Sequence, residues 1–317
     1  MRALYLDSSG MNLRRDYPEP RTPPGESLVR VTTAGICGTD LELARGYMGY
    51  SGVPGHEFVG IVERTDSRHL AGQRVVGEIN ASCDTCDFCA QNLGRHCPHR
   101  TVLGILGRDG AFADYLTLPD RNLIPIPEAL PDEMAVFIEP LAAAYEIFEQ
   151  TRIGPNEKIL ILGDGRLGAL LALTLKAEAY SSLVGGHHQA KLQFLDRLGL
   201  KVELEQNLKP GFDLVIDSTG RPSGFTRAIE LVRPRGRIIL KTTAAAGTPL
   251  NLASLVINEI TVIGSRCGRF QPALAAVEAP RLDPRPLVSA QFPLDDALSA
   301  FDAAANRSNF KCLLRMS

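Results

Sequence analysis

Four cysteines, Cys83, Cys86, Cys89 and Cys97, form a C-x2-C-x2-C-x7-C run with Asp, Asn, Gly and Pro around them. Little apolar material is available there to hold a fold by burial. Four thiolates can close a tetrahedral shell around zinc without leaving a coordination position open, so such an ion would hold the 83–97 lobe and do no chemistry. Free thiols on a loop, or an iron–sulfur centre, are the other readings of the same run. A second signature is Gly163-Asp164-Gly165-Arg166-Leu167-Gly168, which follows an apolar strand pattern and opens a helical one. Its glycines suit a tight turn, close approach of backbone to a pyrophosphate and tight helix packing, which is the pattern of a dinucleotide site.

A dinucleotide fold carries an acid about twenty residues further on, against the adenosine ribose. Here the second strand ends Leu183-Val184-Gly185-Gly186-His187-His188, with Lys191 beyond, and no acid. That removes both the partner of the ribose hydroxyl and the repulsion against a 2'-phosphate, while His187, His188 and Lys191 are available as donors. NADP is therefore expected ahead of NAD. Thr219 and Gly220, closing the strand pattern that ends at Ser218, fall at the carboxyl edge of the sheet, where the cofactor would cross.

The elements that must position these groups follow from periodicity. Residues 28–34 and 57–63 read as short apolar strands broken by Gly and Pro, the texture of a loop-rich β domain. From Glu139 to Gln150 the pattern is helical. A strand at Lys158–Leu162 and a helix-period run from Leu167 to Ala179 come next. Strand patterns recur at 182–185, 201–205, 213–217, 237–241 and 260–264 with helical segments between several of them, which predicts a doubly wound parallel sheet and an α/β fold class. The domains expected are 1–141 together with 283–317, the closing segment returning to pack on the first domain, and 142–282 between them.

Bulk properties narrow the function classes. The 317 residues carry 34 basic and 36 acidic side chains, a net charge of -2, and no Lys/Arg block, so the footprint of a nucleic-acid binder is missing. The start lacks the apolar core of a signal peptide and no run is apolar enough to cross a bilayer, so the cytoplasm is the expected compartment. Seven cysteines, an odd number with four of them clustered, point to metal rather than disulfides.

Two further motifs are ordinary taken singly: Ala34-Gly35-Ile36-Cys37-Gly38-Thr39-Asp40 and Gly52-Val53-Pro54-Gly55-His56-Glu57. A lone Cys is usually core packing and a lone His a satisfied side chain. In this order, ahead of the cysteine lobe and the glycine loop, they resemble the zinc-containing medium-chain dehydrogenase/reductase family over nearly the whole chain. That family includes alcohol, sorbitol, threonine and archaeal glucose dehydrogenases. The resemblance implies a GroES-like catalytic domain split around a Rossmann domain, with the active site in the cleft between them. It implies Cys37 and His56 as ligands of a catalytic zinc, with Glu139, in Phe137-Ile138-Glu139-Pro140-Leu141, as the third. Glu57 follows the ligand histidine and in such enzymes often approaches or exchanges onto the metal. A carboxylate at 139 resembles the polyol and threonine branches more than a Cys2His alcohol dehydrogenase site.

In the resembling enzymes the position of Thr39 begins a proton relay, and Asp40 would orient the ring of His56. Many relatives end that relay on a histidine three residues after the Thr. Here the position is Glu42, which either substitutes, as a similar Cys-Gly-Thr-Asp-x-Glu run suggests, or is a solvated surface acid while protons leave through water. Lys311, in Asn309-Phe310-Lys311-Cys312, resembles the basic residue that contacts the pyrophosphate. Cys267 and Cys312 read as packing residues.

The expected activity is hydride transfer between a secondary alcohol, polyol or sugar hydroxyl and NAD(P), with two zinc ions per chain, one catalytic and one structural. The partners are a small alcohol or carbonyl compound and a second copy of the chain, as a homodimer or homotetramer with the 260–264 strand at a pairing edge. A zinc-independent enone reductase would lack the set Cys37, His56 and Glu139. A silent nucleotide-binding relative would have lost a ligand or broken the glycine loop.

Overall fold

The structure, a computed structural model, describes residues 1–242, 252–279 and 281–316. It divides into two units, Met1–Glu139 with Asp283–Ser317, and Pro140–Leu282.

In the first unit a seven-stranded sheet is built around β1 (Glu26–Gly35) and β2 (Glu57–Arg64), which pair antiparallel. The strand Lys311–Arg315 runs antiparallel to β1, with Leu313 opposite Gly35, so the end of the chain is hydrogen-bonded into the sheet its beginning forms. Val29, Val31, Phe58, Val59 and Val62 are buried, because β-branched and aromatic side chains fill a pleated surface well. Directly after β1 comes a short helix, α1 (Gly38–Leu43), whose N-cap residue is Cys37.

Among the described residues the second unit holds six parallel strands: β3 (Ile159–Leu162), β4 (Ser182–Gly186), β5 (Lys201–Leu204), β6 (Phe212–Asp217), β7 (Val232–Leu240) and β8 (Thr261–Gly264). Their order across the sheet is β5-β4-β3-β6-β7-β8, the doubly wound arrangement in which the connections reverse direction between β3 and β6. Every residue of β3, Ile-Leu-Ile-Leu, is buried, as a central parallel strand covered on both faces requires. Leu160, Val215 and Ile238 pack in one cluster with Ala228 and Leu231 from the helix Pro222–Leu231.

Strand and helix ends differ from the periodicity by one or two residues, where local capping decides the boundary. The larger difference is β7. Apolar alternation marks only 237–241, whereas the strand starts at Val232, and its Val-Arg-Pro-Arg-Gly opening pairs Val232 with Phe212 before a register shift. Three exposed residues there hide the strand from any hydrophobic count.

Candidate metal centres and dinucleotide site

The cysteine lobe is assembled by turns. Cys86 caps a four-residue helix at Asp87–Ala90, and Asp84 and Asn92 adopt left-handed backbone angles on either side of it. These bends turn the four sulfurs inward. Four Sγ–Sγ separations are 3.5, 3.6, 3.7 and 4.0 Å. A zinc–sulfur bond of about 2.3 Å gives a tetrahedral edge of about 3.8 Å, so the spacing fits four ligands of one ion, and it is far too long for a disulfide at about 2.05 Å. The backbone N–H and hydroxyl of Thr85 bring the Cys83 thiol down to about 5, while desolvation and the neighbouring sulfurs push Cys89 up to about 11. A cation at the centre of the four sulfurs would favour their thiolate forms.

The second cluster is made by the β1–β2 pairing. Gly35, the last residue of β1, lies opposite Glu57, the first of β2, so Cys37 just past one end meets His56 just before the other. One ligand atom each from Cys37, His56 and Glu57 lie within 4.8 Å of one another. Asp40, fully buried on α1, ties the two segments together. Its Oδ2 accepts the Cys37 backbone N–H at 2.8 Å and its Oδ1 the Gly55 N–H at 3.2 Å, and Oδ1 stands 3.3 Å from His56 Nδ1. Burial alone would hold the His56 imidazole neutral, but the charges of Asp40 and Cys37 outweigh it and raise His56 well above its ordinary value.

Glu57 is buried and ion-paired with Lys311, itself 2 % exposed, through Oε2. Its other oxygen, Oε1, is buried with no hydrogen-bond partner. A buried orphan carboxylate oxygen beside a thiol and an imidazole is costly as it stands and is what a divalent cation would satisfy, so the donor set fits zinc. Glu139, in the first turn of the helix Ile138–Gln150, lies outside this trio. Burial pushes its carboxyl up to about 7, with His56 and Lys311 pulling down and Glu57 and Asp40 pushing up, which puts it in the same electrostatic neighbourhood.

Of the proposed relay, Thr39 is half-buried in the first turn of α1, whereas Glu42 is exposed and bridges to Arg45 at 2.6 Å. That is the solvated-acid alternative for position 42. Lys311 is likewise spoken for, its ammonium enclosed with Glu57 in the first unit. Cys312 is buried and Cys267 partly so.

In the second unit Gly163 adopts φ +123°, and a Cβ on Gly168 would fall 2.0 Å from the Gly163 carbonyl, so the turn and the helix contact both demand glycine. The helix they open, Arg166–Ala177, has Gly165 as N-cap with no side-chain cap and open space where a Cβ would stand. The N-terminus of a twelve-residue helix directed at the glycine turn, with open space where a Cβ on Gly165 would stand, fits a pyrophosphate. Thr219 is anchored by Asp217, whose Oδ1 accepts its backbone N–H at 2.9 Å and its hydroxyl at 2.8 Å. His187 is exposed and Lys191 buried. Sequence reasoning passed over Asp164, which sits inside the glycine motif as a variable position. Its carboxylate accepts the His188 backbone N–H at 2.7 Å, and the only signal was an acid where small or apolar residues suffice.

Residues 23–128 match the alcohol dehydrogenase GroES-like domain model, and residues 189–279 match the zinc-binding dehydrogenase model. The chain is 29 % identical to the L-threonine 3-dehydrogenase of Streptomyces avermitilis over 99 % of both chains. It is also 29 % identical to the D-altritol 5-dehydrogenase of Agrobacterium fabrum over 95 % of both. Among solved structures it is similar to the alcohol dehydrogenase rspB from E. coli CFT073 complexed with NADH, with TM-score 0.89 and 25 % identity over 100 % of this chain and 99 % of the other. Two domain models, relatives aligned along nearly the full length and a matching backbone agree, and the chain belongs to the zinc-dependent medium-chain alcohol dehydrogenase family.

Proposed function

We infer that this chain is an NAD(P)-linked dehydrogenase of CH–OH groups whose substrates are secondary alcohols, polyols or sugar hydroxyls. The observation that carries the reading is the convergence of Cys37, His56 and Glu57, one ligand atom of each within 4.8 Å of the others. Cys37 and His56 would hold a catalytic zinc, with Glu139 as third ligand. Glu57, with Oε2 on Lys311 and Oε1 buried without a partner, would approach or exchange onto the metal, while Glu139 has no hydrogen-bond or ion-pair partner among the described residues. Cys83, Cys86, Cys89 and Cys97 would hold a second, structural zinc.

Held by Cys37, His56 and Glu139, zinc would supply Lewis acidity toward a substrate hydroxyl, and a nicotinamide at the glycine loop would supply hydride-accepting capacity. Asp40 holds Cys37 and His56 in register through two backbone N–H groups and the ring. Thr39 offers a hydroxyl two residues from Cys37 to pass the substrate proton outward, and Glu42 is left to the surface. The names of the threonine and altritol dehydrogenases support a hydroxylated substrate. Asp164 and Glu205 stand 2.9 and 2.7 Å from the rings of His188 and His187, and two carboxylates so placed count against the NADP preference expected from the missing acid.

Metal content tests the reading directly. The protein should carry about two zinc ions per chain, and Cys37→Ser about one, with turnover of polyols or sugars lost in the variant. One zinc in both would leave the catalytic site empty and favour the silent-relative reading. Turnover of simple primary alcohols alone would remove the polyol assignment.

A homodimer or homotetramer is proposed on the edge strand β8. Val262 on that strand is 37 % exposed, and Val256 and Ile257 just before it are 76 % and 78 % exposed. A strand edge that no other described strand pairs, beside exposed branched side chains, is the feature a second copy would cover. Light scattering at the mass of one chain would remove it. No helix among the described residues is long and apolar enough to cross a membrane.

A further inference from the structure

A ribose hydroxyl needs an acceptor, whereas a 2'-phosphate needs donors and positive charge. In this fold the choice is made just past the second strand, where an acidic side chain is the usual acceptor. This chain has His187 and His188 there. A neutral imidazole carries one donor and one acceptor nitrogen, and the partner of one nitrogen decides the role of the other.

Both partners are carboxylates. His188 Nδ1 lies 2.9 Å from Asp164 Oδ1 and 3.1 Å from Oδ2, and the His188 backbone N–H donates to Oδ2 at 2.7 Å. His187 Nε2 lies 2.7 Å from Glu205 Oε2. An ionised carboxylate only accepts, so Nδ1 of His188 and Nε2 of His187 carry the protons. The opposite nitrogens are left as acceptors, and neither has a hydrogen-bond partner among the described residues. The Asp164 contact is built into the backbone. Asp164 is 6 % exposed, and a Cβ on Gly186 would come within 2.4 Å of its Oδ2, so the bare glycine at the end of β4 leaves the room the carboxylate occupies. The surrounding charges are balanced: Arg166 and Lys191 act with Asp164, and Arg227 stands 3.7 Å from Glu205 and also pairs with Glu230.

We propose that His187 and His188, each held by a carboxylate in the tautomer that presents a lone pair, replace the missing acid as ribose-hydroxyl acceptors, with Asp164 as the positioning residue that makes this site select NAD over NADP. The proposal rests on the dinucleotide reading above. It reverses the role that sequence assigns to the two histidines, acceptors for a hydroxyl in place of donors for a phosphate.

The test is fluorescence titration of the metal-loaded protein with NADH and NADPH at pH 8, together with ring-nitrogen chemical shifts of 15N-histidine-labelled protein, in which six histidines make assignment tractable. The wild type should bind NADH at least about tenfold tighter than NADPH and show His188 protonated at Nδ1. In Asp164→Asn the amide oxygen still accepts the backbone N–H but its NH2 group faces Nδ1, so the proton should move to Nε2 and the preference should fall by about tenfold. Adding His187→Asp to that variant should restore the preference. A merely structural role for Asp164 would weaken both dinucleotides equally and leave their ratio alone, and that result overturns the proposal. So does a wild type that prefers NADPH, or one with His188 protonated at Nε2. Gly186→Ala, which crowds Asp164 from the other side, should reproduce the loss of preference if Asp164→Asn folds poorly. A wild type that binds neither dinucleotide sinks the dinucleotide reading itself, which distinguishes that failure from this one.

Discussion

The cysteine lobe and the Cys37–His56 cluster are both places where metal ligands converge, yet they are built in opposite ways. The lobe takes all four sulfurs from fifteen consecutive residues bent by turns, and three of its four cysteines are partly exposed. The other cluster draws on two strand ends, a helix start and a residue 254 positions away, Lys311, with His56, Glu57, Asp40 and Lys311 buried and Cys37 partly so. A metal in the lobe would replace a core that the local sequence does not supply. In the cluster the core is already present, and it holds Cys37 and His56 in place through Asp40. The difference is that the first site should depend on its ion for folding and the second should not.

The largest effect that would sharpen this contrast is on activity. Cys37→Ser should lower kcat/KM on the order of a thousandfold, about 4 kcal/mol, while thermal unfolding stays near that of the wild type. A large drop in melting temperature would break the contrast, because the catalytic cluster would then be holding the fold as well. The reciprocal variant, Cys97→Ser, removes the one buried thiol of the lobe. It should lose one zinc and about 3 kcal/mol of stability in urea, with the catalytic metal retained. Retention of both metals in that variant would contradict a four-thiolate site.

A third prediction concerns what holds the first unit without metal. Asp132 accepts from Arg74 at 2.6 Å, from Thr32 at 2.7 Å and from Thr33 at 2.9 Å, joining β1 to the strand Arg74–Gly77. Burial pushes its carboxyl up, but Thr32, Arg74 and Thr33 together hold it below the usual carboxylate range. Asp132→Ala should cost about 2–3 kcal/mol at neutral pH. Because the folded carboxyl is the stronger acid, that contribution is complete above about pH 4 and disappears as the pH falls through its folded value. Urea unfolding of both proteins should therefore converge in acid, and a gap that persists at pH 3 would mean that the loss is one of packing.

The smallest expected effect is at Glu42. Its ion pair with Arg45 is solvent-exposed, so Glu42→Gln should change kcat by less than about twofold and leave its pH profile unmoved. A shifted profile would return Glu42 to the proton path.

Much of this was legible in the chain. The parallel sheet announces itself through buried runs such as Ile159–Leu162, the glycine loop through residues that no other type can replace, and the lobe through spacing alone. Where sequence reasoning stopped short, the cause is physical in each case. The polar opening of β7 hides a strand, since pairing there is made by the backbone. The pairing of Glu57 with Lys311, 254 positions away, leaves no local trace in either motif.

Local residue order therefore encodes each feature contained within a turn or an element: the cysteine lobe, the glycine loop, the alternation of strands and helices, and the Cys37 and His56 motifs. Tertiary structure alone decided which charges meet. It gave Glu57 to Lys311, left Glu42 at the surface, and set Asp164 and Glu205 behind the two histidines. Periodicity records which face of an element is apolar, but a hydrogen bond between side chains distant in the chain depends on strand order and register, which no local pattern contains.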